Sequence, residues 1–246
     1  MTSAVVFDLF HTLVDPEAHR SGPFDRLAES ARLLGVDADA LRDHWEDVVV
    51  EAATTPVRTA EVLARVCRER PSEAVLAAVD DAMGRYQDRA IREPLPEAVA
   101  ALETLAAAGV RVGLLSNALE RDVRAWDDSP LRSGFHAAVF SCFAGVMKPD
   151  PAAYRAVLEA LGVTAGEAVF VGDGHSGELA GAKRAGFGTV VVVTGPALRS
   201  GLRTPAEMAV IAADADVEIG DVGRVPEVFG ISRRPSGPRR VPPPRP

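Results

Sequence analysis

Lysine and cysteine are both scarce in this chain. Of its 27 basic residues only Lys148 and Lys183 are lysine. Because arginine is used at almost all basic positions, each lysine is a candidate for a specific function. Two cysteines, Cys67 and Cys142, are too few for a disulfide framework, which favours a reducing cytoplasm. No run approaches the roughly 18 apolar residues of a membrane span. The first apolar run has no basic residue ahead of it, unlike a signal peptide. We therefore expect a cytoplasmic protein without membrane contact.

The net charge of −8 is unevenly distributed along the chain. The last 15 residues, SRRPSGPRRVPPPRP at 232–246, hold five arginines and no acid, so the body is more acidic than the whole. An acidic body argues against nucleic acid as a partner. Proline and arginine dominate the tail and apolar residues are rare there, which predicts a disordered appendage. At 246 residues the chain can form one large domain or a core with a small insert.

One stretch, AVVFDLFHTLVD at residues 4–15, organises the rest of the chain. Its apolar run from Ala4 to Phe7 is typical of a strand buried on both faces, as in a parallel sheet. Asp8 follows where the strand ends, and the carboxyl edge is where open α/β sheets form their sites. A bare carboxylate beside an apolar core would be costly. We therefore predict that Asp8 is a nucleophile, with Thr12 in the polar turn after it.

Residues 22–90 have the periodicity of amphipathic helices, with no strand between them. Helices are predicted at 23–34, 38–53, 58–70 and 72–89. Four consecutive helices of this kind predict a small helical bundle.

After residue 94, strands and helices alternate. The predicted strands are 111–115, 137–140, 168–171 and 189–193, and the predicted helices are 97–108, 120–127, 149–161, 177–185 and 206–213. Such alternation predicts right-handed parallel crossovers. The predicted fold class is therefore α/β: a Rossmann-like, doubly wound parallel sheet formed by residues 1–15 and 94–231, with the helical bundle of residues 16–93 inserted into it.

Polar residues fall at the ends of several predicted strands or the starts of helices. They are Asp8 with Thr12, Ser116 with Asn117, Lys148, and Asp173 with Glu178. The ends of parallel strands lie on one edge, so we expect these residues to meet in one crevice. Together they supply a carboxylate nucleophile, polar donors, one cation and an acidic pair, which suits attack on an electrophile that carries negative charge. The acids would repel that substrate without a divalent metal, and carboxylates are ligands that Mg²⁺ prefers.

The sequence resembles the haloacid dehalogenase superfamily of hydrolases over residues 4–195. Four motifs match in order and spacing: FDLFHTLVD, LLSNA, MKPDPAAY and VGDGHSGELAGAKRAG. The resemblance implies that Asp8 attacks phosphorus or carbon to form an aspartyl intermediate, which water then cleaves. It implies that Ser116 holds the phosphoryl group and that Lys148 stabilises the charge on Asp8. Asp173 would bind Mg²⁺ with Glu178 in the neighbouring acidic position, and residues 16–93 would be a cap that closes over the site.

Residue 10 departs from the family pattern. Family phosphatases generally carry a second aspartate there as general acid and base, and this chain has Phe10. Loss of such a group typically costs about 10²- to 10⁴-fold in rate. Family dehalogenases also have an aromatic residue there, because halide leaves without a proton. Phe10 keeps the backbone carbonyl that the resemblance assigns to Mg²⁺, and Asp173 is an acid that the metal-independent dehalogenases generally lack.

Three functions therefore stay open. The first is Mg²⁺-dependent hydrolysis or transfer of a phosphoryl group from a small anionic substrate, a phosphorylated metabolite. The second is dehalogenase-type substitution at carbon, and the third is a low-activity or binding-only protein. Phosphonate cleavage through a cap lysine is excluded, because no lysine lies between residues 1 and 147. We expect a monomer or a homodimer.

Two histidines could replace the missing acid, since imidazole titrates near neutral pH. His11 stands where the motif usually has glycine, and His175 lies two residues after Asp173. Substrate contacts could also come from arginines of the bundle, which the sequence does not rank. These are Arg26, Arg42, Arg58 and Arg85.

Overall fold

A parallel sheet crosses the centre of the molecule in the computed structural model, which describes residues 2–20, 22 and 24–231. In the described chain it has six strands, in the order β3-β2-β1-β4-β5-β6. They are β1 (Ala4–Phe7), β2 (Arg111–Ser116), β3 (Ala137–Phe140), β4 (Ala168–Gly172), β5 (Thr189–Val193) and β6 (Val217–Ile219). Every neighbouring pair is parallel. This confirms the predicted α/β class.

Helices cover the sheet and form the inserted segment. They are α1 (Arg26–Leu34), α2 (Ala38–Thr54), α3 (Thr59–Leu63), α4 (Glu73–Arg92), α5 (Pro96–Ala107), α6 (Ser141–Ala144), α7 (Pro151–Leu161), α8 (Glu178–Arg184), α9 (Gly195–Arg199), α10 (Pro205–Ala212) and α11 (Val225–Val228). Side-chain caps explain several helix starts. Asp25, Asp37 and Asp150 each accept a hydrogen bond from an amide of the first turn of α1, α2 and α7.

Strand β1 is central because both of its faces are buried. Val5 and Phe7 lie in the apolar layer on one face of the sheet, and Ala4 and Val6 lie in the layer on the other. The unbroken apolar run therefore follows from burial on both faces. In register, Phe7 pairs with Leu114 of β2 and Val171 of β4, so the residues after these strands lie side by side.

Helices α1–α4, hereafter the bundle, enclose an apolar cluster of their own. Its fully buried members include Leu41, Leu63, Val79 and Met83. The division of the chain at residues 16–93 stays a prediction, as does the disordered tail at 232–246, which lies outside the described residues. Among the described residues, no helix is both long enough and apolar enough to span a membrane.

One predicted helix is wrong and another is shorter than predicted. The segment 120–127 forms two 3-10 turns, Arg121–Val123 and Trp126–Asp128, because its side chains are buried on successive residues and offer no single apolar face. The predicted helix 58–70 ends as α3 at Leu63 and tightens to a 3-10 turn at Ala64–Val66. Polar residues with no apolar stripe follow, and Pro71 cannot join a helical ladder.

Candidate active site

Asp8 lies at the carboxyl edge of the sheet, directly after β1. Its amide donates to the carbonyl of Val171 at 2.8 Å, which extends the pairing of β1 and β4 by one residue. The chain then turns sharply: the amide of Leu13 donates to Leu9, and both of these leucines are buried. The turn places the Thr12 hydroxyl 3.2 Å from Oδ2 of Asp8, to which it donates. Only 7% of Asp8 is exposed, so this carboxylate is held rather than solvated.

Lys148 joins two carboxylates inside the protein. Its Nζ lies 2.5 Å from Oδ1 of Asp8 and 2.5 Å from Oε2 of Glu178. Burial alone would lower the pKa of Lys148, but the charges of Asp8 and Glu178 more than offset this and raise it above its usual range. Lys148 is therefore a permanent cation beside the predicted nucleophile.

Asn117 holds the backbone of Lys148 with two hydrogen bonds. Its amide nitrogen donates to the Lys148 carbonyl at 2.8 Å, and its side-chain oxygen accepts from the Lys148 amide at 2.8 Å. Asn117 thereby ties the segment after β2 to the lysine. The side chain positions Lys148 and has its polar atoms occupied in doing so.

Asp173 and Glu178 complete an acidic group with Asp8. One oxygen from each of the three carboxylates lies within 4.8 Å of the others, and all three residues are buried. Burial, reinforced by the charge of Asp8, raises the pKa of Asp173. Burial also raises the pKa of Glu178 to about 8, with Asp8 and Asp173 adding to the rise and Lys148 opposing it. Burial is the main cause of both shifts, so a cation placed between these carboxylates would favour their charged forms.

Glycines make room for this packing. At Gly172 a Cβ atom would lie 2.1 Å from Oε1 of Glu178, so only glycine fits there. The same oxygen accepts from the amide of Gly174 at 3.0 Å, and Oδ1 of Asp173 accepts from the amide of His175 at 2.9 Å. The backbone after β4 thus fixes both acids of the fourth motif.

A divalent metal fits this donor set. Three buried carboxylates face a single ammonium group, and oxygen ligands of this kind suit Mg²⁺. The turn that places Asp8 also places Phe10 in the wall of the adjoining cavity.

Ser116 ends β2 and is fully buried. Among residues 2–20, 22 and 24–231 its hydroxyl has no hydrogen-bond partner, so a donor next to Asn117 is unpaired there. The cavity wall includes Asn117 and not Ser116. The role of Ser116 as a phosphoryl contact stays a prediction.

A cavity of about 350 Å³ opens over the acidic group. Its volume lies at the small end of the range for ligand sites. The core, the bundle and the segment between them all contribute to its wall. The lining residues are Asp8, Phe10, His11, Pro16, Glu17, Arg20, Arg26, Gln87, Asn117, Asp122, Lys148, Asp173, His175, Ser176, Glu178, Leu202 and Arg203.

Both histidines predicted as substitute acids line the cavity. His11 has a left-handed backbone (φ 58°), which explains why glycine suits this position. Its Nδ1 lies 3.5 Å from Oδ1 of Asp15. Nδ1 of His175 lies 3.0 Å from the guanidinium of Arg203, so that nitrogen accepts a hydrogen bond and has no proton to give.

The arginines that reach the cavity differ from those predicted. Of the four named from the sequence, only Arg26 lines it. Arg42, Arg58 and Arg85 form ion pairs on the bundle with Asp25, Asp80 and Asp81. Sequence reasoning missed Arg20 and Arg203. Arg203 comes after β5 and the short helix α9, in a segment that begins at the carboxyl edge of the sheet. That position is the one signal in the sequence that could have identified it.

A doubly wound sheet with a buried carboxylate, lysine and acidic pair on one edge defines a class of hydrolases. Residues 2–186 match the family model of haloacid dehalogenase-like hydrolases, and the chain belongs to this family. The predicted resemblance and the prediction of a hydrolase are confirmed.

Named relatives of the chain include phosphatases and a dehalogenase. Glyceraldehyde 3-phosphate phosphatase of Methanopyrus kandleri is 30% identical over 213 residues, 79% of this chain and 85% of that protein. Phosphoglycolate phosphatase of Rhodospirillum rubrum is 32% identical over 202 residues, 79% and 81% of the two chains. The structure of L-2-haloacid dehalogenase from Xanthobacter autotrophicus is 25% identical, with a TM-score of 0.60, over 94% of this chain and all of that one. Both reaction classes therefore occur among its relatives.

Proposed function

We propose that this hydrolase removes or transfers the phosphoryl group of a small phosphorylated metabolite, with Asp8 as nucleophile and Mg²⁺ as cofactor. The observation that carries the proposal is the cluster of three buried carboxylates, Asp8, Asp173 and Glu178, two of which contact Lys148. Substitution at carbon with halide as leaving group has no use for Asp173. Cleavage of a phosphate ester gains from a cation there.

The metal would be held by Asp8, the backbone carbonyl of Phe10 and Asp173, with Glu178 beside them. When bound, Mg²⁺ supplies electrostatic stabilisation of the phosphoryl oxygens. Glu178 acts through its neighbours, since its two oxygens already hold Lys148 and the amide of Gly174.

In the first step a carboxylate oxygen of Asp8 attacks phosphorus, and the bond from phosphorus to the leaving oxygen breaks. Thr12 and Lys148 orient the carboxylate from opposite oxygens, so the attacking atom is held in place. Lys148 also stabilises the negative charge that develops. In the second step water attacks the aspartyl phosphate. Asp8 is regenerated and inorganic phosphate is released. A proton from water passes to the departed oxygen of an alcohol, or to solvent where the leaving group is an acyl carboxylate.

Phe10 decides which phosphates suit this site. Its side chain packs against the apolar layer of the core and offers no proton to a leaving group. Acyl or anomeric phosphates relieve the need for an acid, because their leaving groups are stable without immediate protonation. We propose substrates of this kind. His11 stays the candidate proton donor for less acidic leaving groups, since the charges of Asp15 and Asp173 outweigh its burial and raise its pKa.

Dehalogenation is the second candidate, favoured by the aromatic side chain of Phe10 and by the dehalogenase structure that the chain resembles.

One panel of assays separates the candidates. Wild type and Asp8→Asn are compared on phosphomonoesters, acyl phosphates and 2-haloacids, with Mg²⁺ or with EDTA. We expect phosphate release that needs Asp8 and that EDTA abolishes. Halide release that persists in EDTA would establish the dehalogenase instead, and a folded wild type that releases neither product would leave a binding protein.

A further inference from the structure

Three arginines line the cavity, and two of them are neutralised by acids. Arg20 forms an ion pair with Glu17, and Arg26 lies 2.8 Å from Asp122. Arg20 also has an unpaired Nε–H, but its guanidinium lies over the rings of Phe24 and Tyr86 at 5.9 and 5.6 Å. The positive charges of both residues are thus balanced within the protein.

Arg203 is different. It lies between α9 and α10, and its amide donates to the carbonyl of Ala197 at 3.2 Å, which fixes the loop to the core. Within the described part of the chain its guanidinium forms no ion pair, although its charge acts on the nearby carboxylate of Glu207. One terminal nitrogen faces His175 at 3.0 Å, and the Nε atom is buried without any hydrogen-bond partner.

An arginine that lines a cavity without an ion pair is suited to bind an anionic ligand. The guanidinium is always charged, and its planar fork matches a carboxylate or a phosphate. The His175 ring occupies one terminal nitrogen, and among the described residues the other terminal nitrogen makes no hydrogen bond. Because Asp8 and Lys148 line the same cavity, an oxyanion on Arg203 would belong to the molecule that reacts at Asp8.

We propose that Arg203 binds a second oxyanion of the substrate, and that it selects small phosphorylated compounds that carry a further carboxylate or phosphate. This rests on the proposed phosphatase function. It also places a specificity contact on the core, in the loop between α9 and α10, and not on the bundle. A cavity of about 350 Å³ requires the two anionic groups to lie within a few bonds of each other.

The kinetic test uses three aryl phosphates: phenyl phosphate, 3-carboxyphenyl phosphate and 3-phosphonophenyl phosphate. All have phenolic leaving groups, so the comparison isolates the second charge, and the two charged compounds tell a carboxylate site from a phosphate site. We expect Arg203→Gln to raise KM for at least one charged compound tenfold or more, while KM for phenyl phosphate stays within twofold. Arg199→Gln is the matched control. It removes an exposed arginine of the preceding helix, 3.7 Å from Glu97, and should change none of the three.

A similar rise in KM for all three compounds, or none for either charged one, would overturn the proposal, because a purely structural role makes no distinction between them. A second measurement does not depend on turnover. In the Asp8→Asn background with Mg²⁺, calorimetry should show that Arg203→Gln weakens phosphoglycolate binding at least tenfold and leaves inorganic phosphate unchanged. If wild type releases no phosphate from any ester, the proposed function fails, and this calorimetric difference still decides the role of Arg203.

Discussion

Arg121 and Asp88 form a bidentate ion pair that joins the segment after β2 to helix α4. The two guanidinium nitrogens lie 2.7 and 2.9 Å from the carboxylate oxygens, and Nε donates to the carbonyl of Asp80 at 2.7 Å. Only 2% of Arg121 is exposed. Helix α4 admits the guanidinium because Gly84 has no side chain: a Cβ atom there would lie 2.1 Å away. Since Asn117 begins the same segment, the pair links the bundle to the residue that holds Lys148.

Asp88→Asn should lower the free energy of unfolding by about 3 kcal/mol, because it leaves the buried guanidinium of Arg121 without its counter-charge. Urea denaturation measures the difference. Asp81→Asn is the matched control on the same helix, since Asp81 is 59% exposed and pairs with an exposed arginine. Its effect should stay within about 0.5 kcal/mol. Equal effects for the two aspartates would show that the buried pair adds nothing.

Phe10→Asp should restore a proton donor at the leaving group. We expect kcat for an alkyl phosphate to rise at least tenfold, towards the factor of about 10²–10⁴ typical of general acids. Phenyl phosphate should gain less, because its leaving group depends less on a proton. Asparagine has nearly the same shape as aspartate but cannot donate a proton as an acid, so Phe10→Asn should not raise kcat. An equal gain for Asn would assign the effect to cavity shape.

Mg²⁺ should raise the melting temperature of the wild type. At 100 times the dissociation constant a ligand adds about 2.7 kcal/mol, which corresponds to several degrees in a chain of this size. In Asp173→Asn the Mg²⁺ effect should vanish, and the metal-free melting temperature should rise because one of three crowded acids has gone. Asp127→Asn, at an exposed position, is the control. A Mg²⁺ effect of full size in Asp173→Asn would place the metal elsewhere.

The ion pair of His11 and Asp15 should make stability depend on pH. Burial opposes both shifts, yet the close approach of the two side chains and their opposite charges raise the pKa of His11 and lower that of Asp15, with Asp173 and Glu17 also acting on His11. The stabilisation that comes from His11 is complete below the pKa of about 6.5 that a histidine has in the unfolded chain. It is lost as the pH rises through the raised pKa of the folded protein. The stabilisation that comes from Asp15 is lost as the pH falls through the lowered pKa of its carboxyl group.

The stabilising effect of this pair is therefore largest near pH 5–6. Asp15→Asn keeps an acceptor for the amide of Glu17, which Asp15 caps at 3.0 Å, and removes only the charge. In EDTA, urea denaturation should show a larger loss for Asp15→Asn at pH 5.5 than at pH 9. The same loss at both values would mean that the charge of His11 contributes nothing.

The sheet and its edge could be predicted because each strand carries its own local signal. Runs such as 168–171 and 189–193 are apolar and β-branched, and they end in residues with polar side chains or glycine. The structure has strands at both places, to within one residue. Parallel topology then brings Asp8, Lys148 and Asp173 together whatever their distance along the chain. The assigned roles of these residues stay predictions.

Features that depend on tertiary contacts could not be predicted from sequence. In the turns at 120–127, Arg121 inserts its guanidinium against α4. The pattern of apolar residues in the sequence does not predict this contact. Strand β6 has three residues, too few for an alternating pattern. Arg203 is one arginine among many, and only the fold shows that it lines the cavity and, unlike Arg26, forms no ion pair among the described residues.

The position of β1 has a consequence for the order in which the protein is assembled. Of the six described strands β1 is synthesised first, but its partners are β2 and β4, and Ala4 pairs with Ala168, 164 residues later. Contacts so distant in sequence slow folding, whereas the bundle, with its short connections, can form while synthesis continues. The surroundings of Asp8 are therefore completed late, when β4 docks and delivers the acids that follow it.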